Sequence, residues 1–247
     1  MKKYFNYNNT DICYYTYGSK TNNACLFLHG WATSSDLWAN IFMPLKQNYY
    51  LVFIDFPPFG NSGDLKFAWS LYDYVGAVNK LISLLDLTNV SIIAHSFGFR
   101  VAILLNNNIA IKKIISICGA GIEKKPFKIK CKILFYKIKK FLVRCKLLDR
   151  KRIENNGSKD YLSLSPIMKQ TFTKITNCDL TKHLKNITAK TLLLYARDDD
   201  QINVKDAVIY NKKIKNSELY IFDFGGHFLF LTQQTPVFNA VQIFLKG

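Results

Sequence analysis

The chain has few acids. Its 247 residues carry 17 Asp and Glu against 34 Lys and Arg, a formal net charge of +17. Such a balance favours an acidic partner, nucleic acid or an anionic membrane surface. Long apolar runs are missing too. No window approaches the ~20 residues of a spanning helix, so no transmembrane segment is expected. Met1-Lys2-Lys3 leads into Asn6, Asn8, Asn9 and Asp11, without the apolar core of a signal peptide. None of the six cysteines forms a C-x-x-C pair or sits at zinc-finger spacing from a histidine, which argues against a redox motif or a structural metal. Most lie in apolar stretches and read as buried, reduced thiols, so the expected compartment is the cytoplasm. There is no internal repeat and no long linker.

The chain alternates strands and helices. Residues 2–8 and 11–17, rich in Tyr, Phe and Ile, flank the turn signal Asn8-Asn9-Thr10 and predict an antiparallel hairpin. Ala24–Leu28 is a continuous apolar run, as a buried parallel strand requires. A helix is expected over 34–47 with Ser34 or Ser35 as cap, then a strand over Tyr49–Phe56 and a helix over Leu71–Leu85. Strands follow at 90–95, 114–118, 191–196 and 218–222, with helices at 99–105, 204–214 and 234–245. This order predicts a mostly parallel sheet with helices on both faces. The alternation stops between about 120 and 187, which reads as a helical cap inserted into a core of residues 1–119 and 188–247. A helix within the insertion is expected to start at Ser165-Pro166, with Ser165 as N-cap.

In such a sheet, reactive groups collect beyond the carboxyl ends of the strands. Val90–His95 ends abruptly at Ser96, with small residues two before (Ala94) and two after (Gly98). A tight strand–turn–helix elbow would expose the serine oxygen; a plain N-cap serine is the bland alternative. The strand at 191–196 is followed by Arg197-Asp198-Asp199-Asp200, and that at 218–222 by Asp223-Phe224-Gly225-Gly226-His227. A serine, then an acid, then a histidine, each beyond a strand, is a hydrolase order.

With H-G-W at 29–31, D-x-P-x-x-G-x-S at 55–62, the elbow at 94–98, L-L-L-Y-A-R-D-D at 192–199 and G-G-H-F at 225–228, the chain resembles the α/β-hydrolase superfamily over nearly its whole length. The resemblance implies the α/β-hydrolase fold and a serine hydrolase without metal or organic cofactor. Ser96 would be the nucleophile and His227 its base. Asp199, ahead of Asp198 and Asp200, would orient the imidazole. The backbone N–H groups of Trp31 and Phe97 would form the oxyanion hole. A serine at position 96 excludes dehalogenation, which needs an acid there. His29 and His95 are expected to be structural, and His183 solvated.

Between Glu123 and Arg152 thirteen Lys or Arg face two acids, which is most of the chain's excess charge. The apolar residues there recur at helical spacing. Leu134, Ile138, Phe141 and Leu142 could line an acyl pocket, with Lys137, Lys140 and Arg144 facing out. Three readings of this segment stay open: a solvated helix, docking on anionic lipid, and docking of an acidic protein carrying the substrate. A sequence-specific nucleic-acid role would fit poorly above the buried triad that the resemblance implies. Small size, H-G-W and the basic cap resemble the pimeloyl-carrier-protein methyl ester esterases of biotin synthesis, which implies a carrier-bound acyl ester and an acidic acyl carrier protein. A general carboxylesterase or lipid-ester hydrolase is the alternative. A non-catalytic binding module is the alternative of another class.

Overall fold

The computed structural model describes residues 2–105, 110–123 and 164–247. Its strands form where β-branched and aromatic residues cluster. β1 (Lys3–Tyr7) and β2 (Thr10–Tyr17) pair antiparallel across a two-residue turn in which Asn8 and Asn9 have φ of 51° and 56°. Asparagine tolerates this left-handed region better than most residues, and such a turn matches the twist of the strands. β3 (Ala24–Leu28), β4 (Tyr50–Ile54), β5 (Val90–His95), β6 (Ile111–Ile117), β7 (Lys190–Ala196) and β8 (Ser217–Phe222) run parallel to one another. The sheet order is β1-β2-β4-β3-β5-β6-β7-β8, with β2 antiparallel to β4.

β3, β4 and β5 are buried along their whole length, so both faces must be covered. The strand period of two divides their side chains between two cores. Leu26, Leu28, Ile92 and Ala94 pack toward α2 (Leu71–Leu84), α3 (Phe97–Leu104) and Tyr210 of α5 (Val204–Lys213). Cys25, Phe27 and Ile93 pack toward α1 (Asp36–Phe42) and α7 (Gln234–Lys246) on the other side.

The expected helix over 34–47 ends at Phe42 and continues as a 3₁₀ turn, Met43–Gln47. Pro44 explains the change, because it has no N–H to extend the α-helical ladder. Ser35 gives no side-chain cap; its N–H is instead bound by the Asp55 carboxylate. α3 starts at Phe97, directly after Ser96, two residues earlier than expected.

Of the stretch 120–187, the structure describes 120–123 and 164–187. α4 (Pro166–Thr176) has Ser165 as N-cap, its hydroxyl accepting from the Met168 N–H at 3.3 Å. Its buried Thr171 accepts from the Trp69 N–H, and its Lys174 donates to the Ala68 carbonyl. Leu134, Lys137, Ile138, Lys140, Phe141, Leu142 and Arg144 lie outside the described residues. Among the described residues no helix is long and apolar enough to cross a membrane.

The elbow yields one stability expectation. A side chain at Gly98 would run into the backbone carbonyl of Leu28 on β3, so position 98 is confined by the neighbouring strand more than by Ala94. Ala94 is itself fully buried, paired with Leu28 and Ser116. Ala94→Gly should fold, whereas Gly98→Ala and Ala94→Val should cost about 1–3 kcal/mol by overpacking. That corresponds to roughly 2–12 °C in Tm for a chain of this size. Unchanged melting of both larger variants would mean that the turn has slack.

Candidate active site

Ser96 stands at the junction of β5 and α3 with φ of 46° and ψ of −109°, a region L-residues rarely occupy. Such strain costs about 1–3 kcal/mol and persists only where surroundings enforce it. Here the Ser96 N–H donates to Ile117 on β6, and its carbonyl accepts from Phe99 and Ala120.

At the end of β7, Asp199 meets His227, whose loop follows β8. The Asp199 carboxylate lies 3.0 and 3.2 Å from Nδ1 of His227. Both side chains are shielded from solvent, 0% and 6% exposed. One carboxylate oxygen also accepts from the N–H groups of Gln201 and Ile202, at 2.8 and 2.9 Å. Burial pushes the Asp199 carboxyl up, but the hydrogen bonds from His227, Ile202 and Gln201 together outweigh it and hold the group below its ordinary value. An ionised Asp199 requires the proton of a neutral imidazole to sit on Nδ1, which leaves Nε2 with a lone pair.

The three aspartates have separate tasks. Asp198 accepts from the N–H groups of Gly225 and Gly226, at 3.2 and 2.8 Å, and anchors the loop that carries His227. Asp200 is exposed.

Two buried histidines frame this arrangement. Nε2–H of His95 donates to the backbone carbonyl of His227 at 2.9 Å, and its ring packs against His227, Phe228 and Phe230. Nε2 of His29 accepts from the Phe56 N–H, and its Nδ1–H donates to the Gly30 carbonyl, both at 2.7 Å. Burial pulls the pKa of His95 down to about 3 and of His29 down to about 4, from an ordinary 6.5. Both are neutral at pH 7. Below pH 6.5 the unfolded chain takes up protons at these positions that the folded chain refuses, so stability falls as pH drops toward 4. Melting from pH 7.5 to pH 5 should show this decline, with a shallower slope in His95→Gln. An equal slope in that variant would mean His95 is not held neutral.

Ser96, Phe97, His227, Trp31, Leu164 and Phe172 share the wall of one cavity of about 620 Å³. Trp31 follows Gly30, where a side chain would press on His95 at 2.7 Å, so only glycine lets the 29–32 loop lie this close to the elbow. No described residue accepts from the N–H of Trp31 or of Phe97. Ser96 Oγ and His227 make no hydrogen bond to one another here.

Residues 23–133 match the family model described as alpha/beta hydrolase fold. An esterase from Exiguobacterium antarcticum superposes on the whole chain with a TM-score of 0.79 at 19% identity, covering 100% of both chains. The chain has the α/β-hydrolase fold. A membrane phospholipase A described as a bacterial virulence factor superposes equally well, with a TM-score of 0.79 at 20% identity, over 100% of this chain and 86% of that one. Among curated proteins, a monoacylglycerol lipase of Xenopus laevis (abhd6-A) is 27% identical over 128 residues, 49% of this chain and 37% of that protein. A haloalkane dehalogenase of Bradyrhizobium diazoefficiens is 28% identical over 93 residues, 38% of this chain and 30% of that protein. The matched segments thus span about a third of these relatives' own length.

Within this α/β-hydrolase fold, two residues matter to which sequence reasoning gave no role. Asp55 is fully buried, and its two carboxylate oxygens accept from the N–H groups of Ser35 and Asn61, each at 2.8 Å. It ties the loop before α1 to the loop after β4, which gives the D-x-P-x-x-G-x-S motif a structural reason; Ser62 closes the same loop on the Asp55 carbonyl. Arg100 is 8% exposed and lines the same cavity as Ser96. Its spacing of four from Ser96 was the available signal. His183 is half-buried.

Proposed function

We propose that the chain is a serine hydrolase that cleaves carboxylic esters through an acyl-enzyme. The observation that carries this reading is the Asp199–His227 pair, closed at 3.0 Å and opening on the cavity that holds the strained Ser96. In the first half-reaction Ser96 Oγ attacks the ester carbonyl while Nε2 of His227 takes its proton. The N–H groups of Trp31 and Phe97 receive the oxyanion, an interaction worth about 2.7–4 kcal/mol per donor in comparable sites. The imidazolium, stabilised by Asp199, protonates the departing alkoxide as the C–O bond breaks. Water then attacks the acyl-enzyme with His227 as base, and the acid leaves with Ser96 restored. Trp31, Leu164, Phe172 and Ile175 make the cavity wall apolar enough for an acyl chain. The esterase, lipase and phospholipase named among the relatives support an ester in preference to other substrates. The relative that is a dehalogenase does not change this, since position 96 is a serine.

A finer reading is the methyl ester of a pimeloyl chain on an acidic, cytoplasmic acyl carrier protein. What supports it is the charge of residues 123–152, with Lys137, Lys140 and Arg144 as docking residues and Leu134, Ile138, Phe141 and Leu142 along the chain. The insertion 120–187, α4 included, would act as the cap.

The test is a series of p-nitrophenyl esters of increasing chain length, together with labelling by a fluorophosphonate. Hydrolysis and a single covalent adduct on Ser96 are expected. A protein that neither hydrolyses nor labels would be a binding module on a hydrolase fold. Salt that slows cleavage of a carrier-bound ester but not of a free one would favour the carrier reading.

A further inference from the structure

Arg100 lies one helical turn beyond Ser96, on the same side of α3, and shares the cavity wall with Ser96, Ala120, Ile175 and Thr176. It is more than nine-tenths buried. A guanidinium has five N–H donors and stays charged at any working pH. Nη1 spends two of them on the carbonyls of Ile175 and Cys178, at 3.2 and 2.9 Å, where α4 ends. Among the described residues nothing accepts from Nε or Nη2, and no carboxylate lies within 4 Å. Asp179, the nearest acid in sequence to this contact, is committed to Thr181 and the Glu123 N–H. Carbonyl dipoles at a helix C-terminus and the more distant carboxylates of Glu123 and Asp179 offset part of the charge, but burial outweighs them, and a buried cation without a directly paired anion remains costly. A group that merely tied α4 to α3 would need no charge.

We propose that Arg100 is a specificity-determining residue that receives an anionic group on the acyl limb of the substrate, so that the preferred esters are half-esters of dicarboxylic acids. This rests on the serine-hydrolase reading and narrows it. The carboxylate supplies a directly paired counter-ion inside the cavity and accepts from Nε and Nη2 together, the two-point geometry that guanidinium favours. Because the anion is fixed one turn from the nucleophile, the length of the methylene spacer decides whether the ester carbonyl reaches Ser96.

The experiment compares the mono-p-nitrophenyl esters of succinate, glutarate and adipate with their neutral methyl-ester counterparts. At one spacer length the carboxylate form should have the higher kcat/KM. In Arg100→Gln the ratio of carboxylate to neutral substrate should fall about ten- to a hundred-fold, the scale of a charge-assisted hydrogen bond. Arg100→Lys should keep part of the preference and guards against a glutamine variant that fails to fold. A wild-type preference for the neutral member at every spacer, or an unchanged ratio in Arg100→Gln, would overturn the proposal. A second readout does not depend on catalysis. Free glutarate should raise the Tm of the wild type above that in sodium chloride of equal ionic strength, and should not do so in Arg100→Gln. If no ester is cleaved yet glutarate stabilises only the wild type, the hydrolase reading fails and the anion site stands. If esters are cleaved without regard to charge, the reverse holds.

Discussion

Ser96→Ala is expected to abolish ester hydrolysis and fluorophosphonate labelling while leaving the fold in place. The Ser96 side chain has no hydrogen bond to other described residues, unlike those of Asp199 and His227, so removing its hydroxyl breaks no such bond. The backbone bonds that hold the elbow, from Ser96 N–H to Ile117 and from Phe99 and Ala120 to the Ser96 carbonyl, are untouched. Alanine has the same backbone cost at a φ of 46° as serine to within a few tenths of a kcal/mol, so Tm should move by no more than a degree or two. Activity should drop by ~10⁴-fold or more, leaving only the background that binding and the oxyanion donors can sustain. Turnover within tenfold of the wild type, measured on protein free of contaminating esterases, would remove Ser96 from the mechanism and return it to the role of a strained helix-capping residue.

Much of this was legible in the residue order. Ala24–Leu28 and Val90–His95 read as strands because both are unbroken apolar runs, and a strand buried on both faces has no other appearance. Asn8-Asn9 marked its turn because few other residues accept positive φ twice in succession. The order of Ser96, Asp199 and His227 was visible because each follows a strand. What escaped is long-range. Nothing near Asp55 in sequence shows that Ser35, twenty residues away, needs its carboxylate. Arg100 stands four residues beyond Ser96 in the sequence, but only the packing of α4 against α3 buries it. The four-residue helix Leu229–Thr232 is too short to show a period, and is set by the packing of Leu229 and Phe230 into the core. The division of labour among Asp198, Asp199 and Asp200 is also tertiary, since three identical neighbours differ only in what the facing loop presents.

That division gives the second large effect. Asp199→Asn should cost ~10⁴-fold in kcat, and Asp198→Asn less than about tenfold. The larger loss comes from a proton on the wrong nitrogen. In the wild type, one oxygen of Asp199 is fixed by the Gln201 and Ile202 N–H groups, and the carboxylate accepts from Nδ1 of His227. An asparagine keeps its carbonyl oxygen on those two backbone donors, because an amide nitrogen there would face N–H groups. Its NH₂ must then occupy the place of the other oxygen, 3.0 Å from Nδ1. A donor in that position forces Nδ1 to accept, and the imidazole proton moves to Nε2. Nε2 can no longer take the proton of Ser96, and no carboxylate remains to stabilise the imidazolium. Asp198 touches no atom of the imidazole. Its amide would keep an acceptor for Gly225 or Gly226 and lose one exposed hydrogen bond. The Asp199→Asn defect should also shrink at alkaline pH, where hydroxide can replace the missing base. A greater loss at Asp198 than at Asp199 would show that the acid of the site is not the one bound to His227.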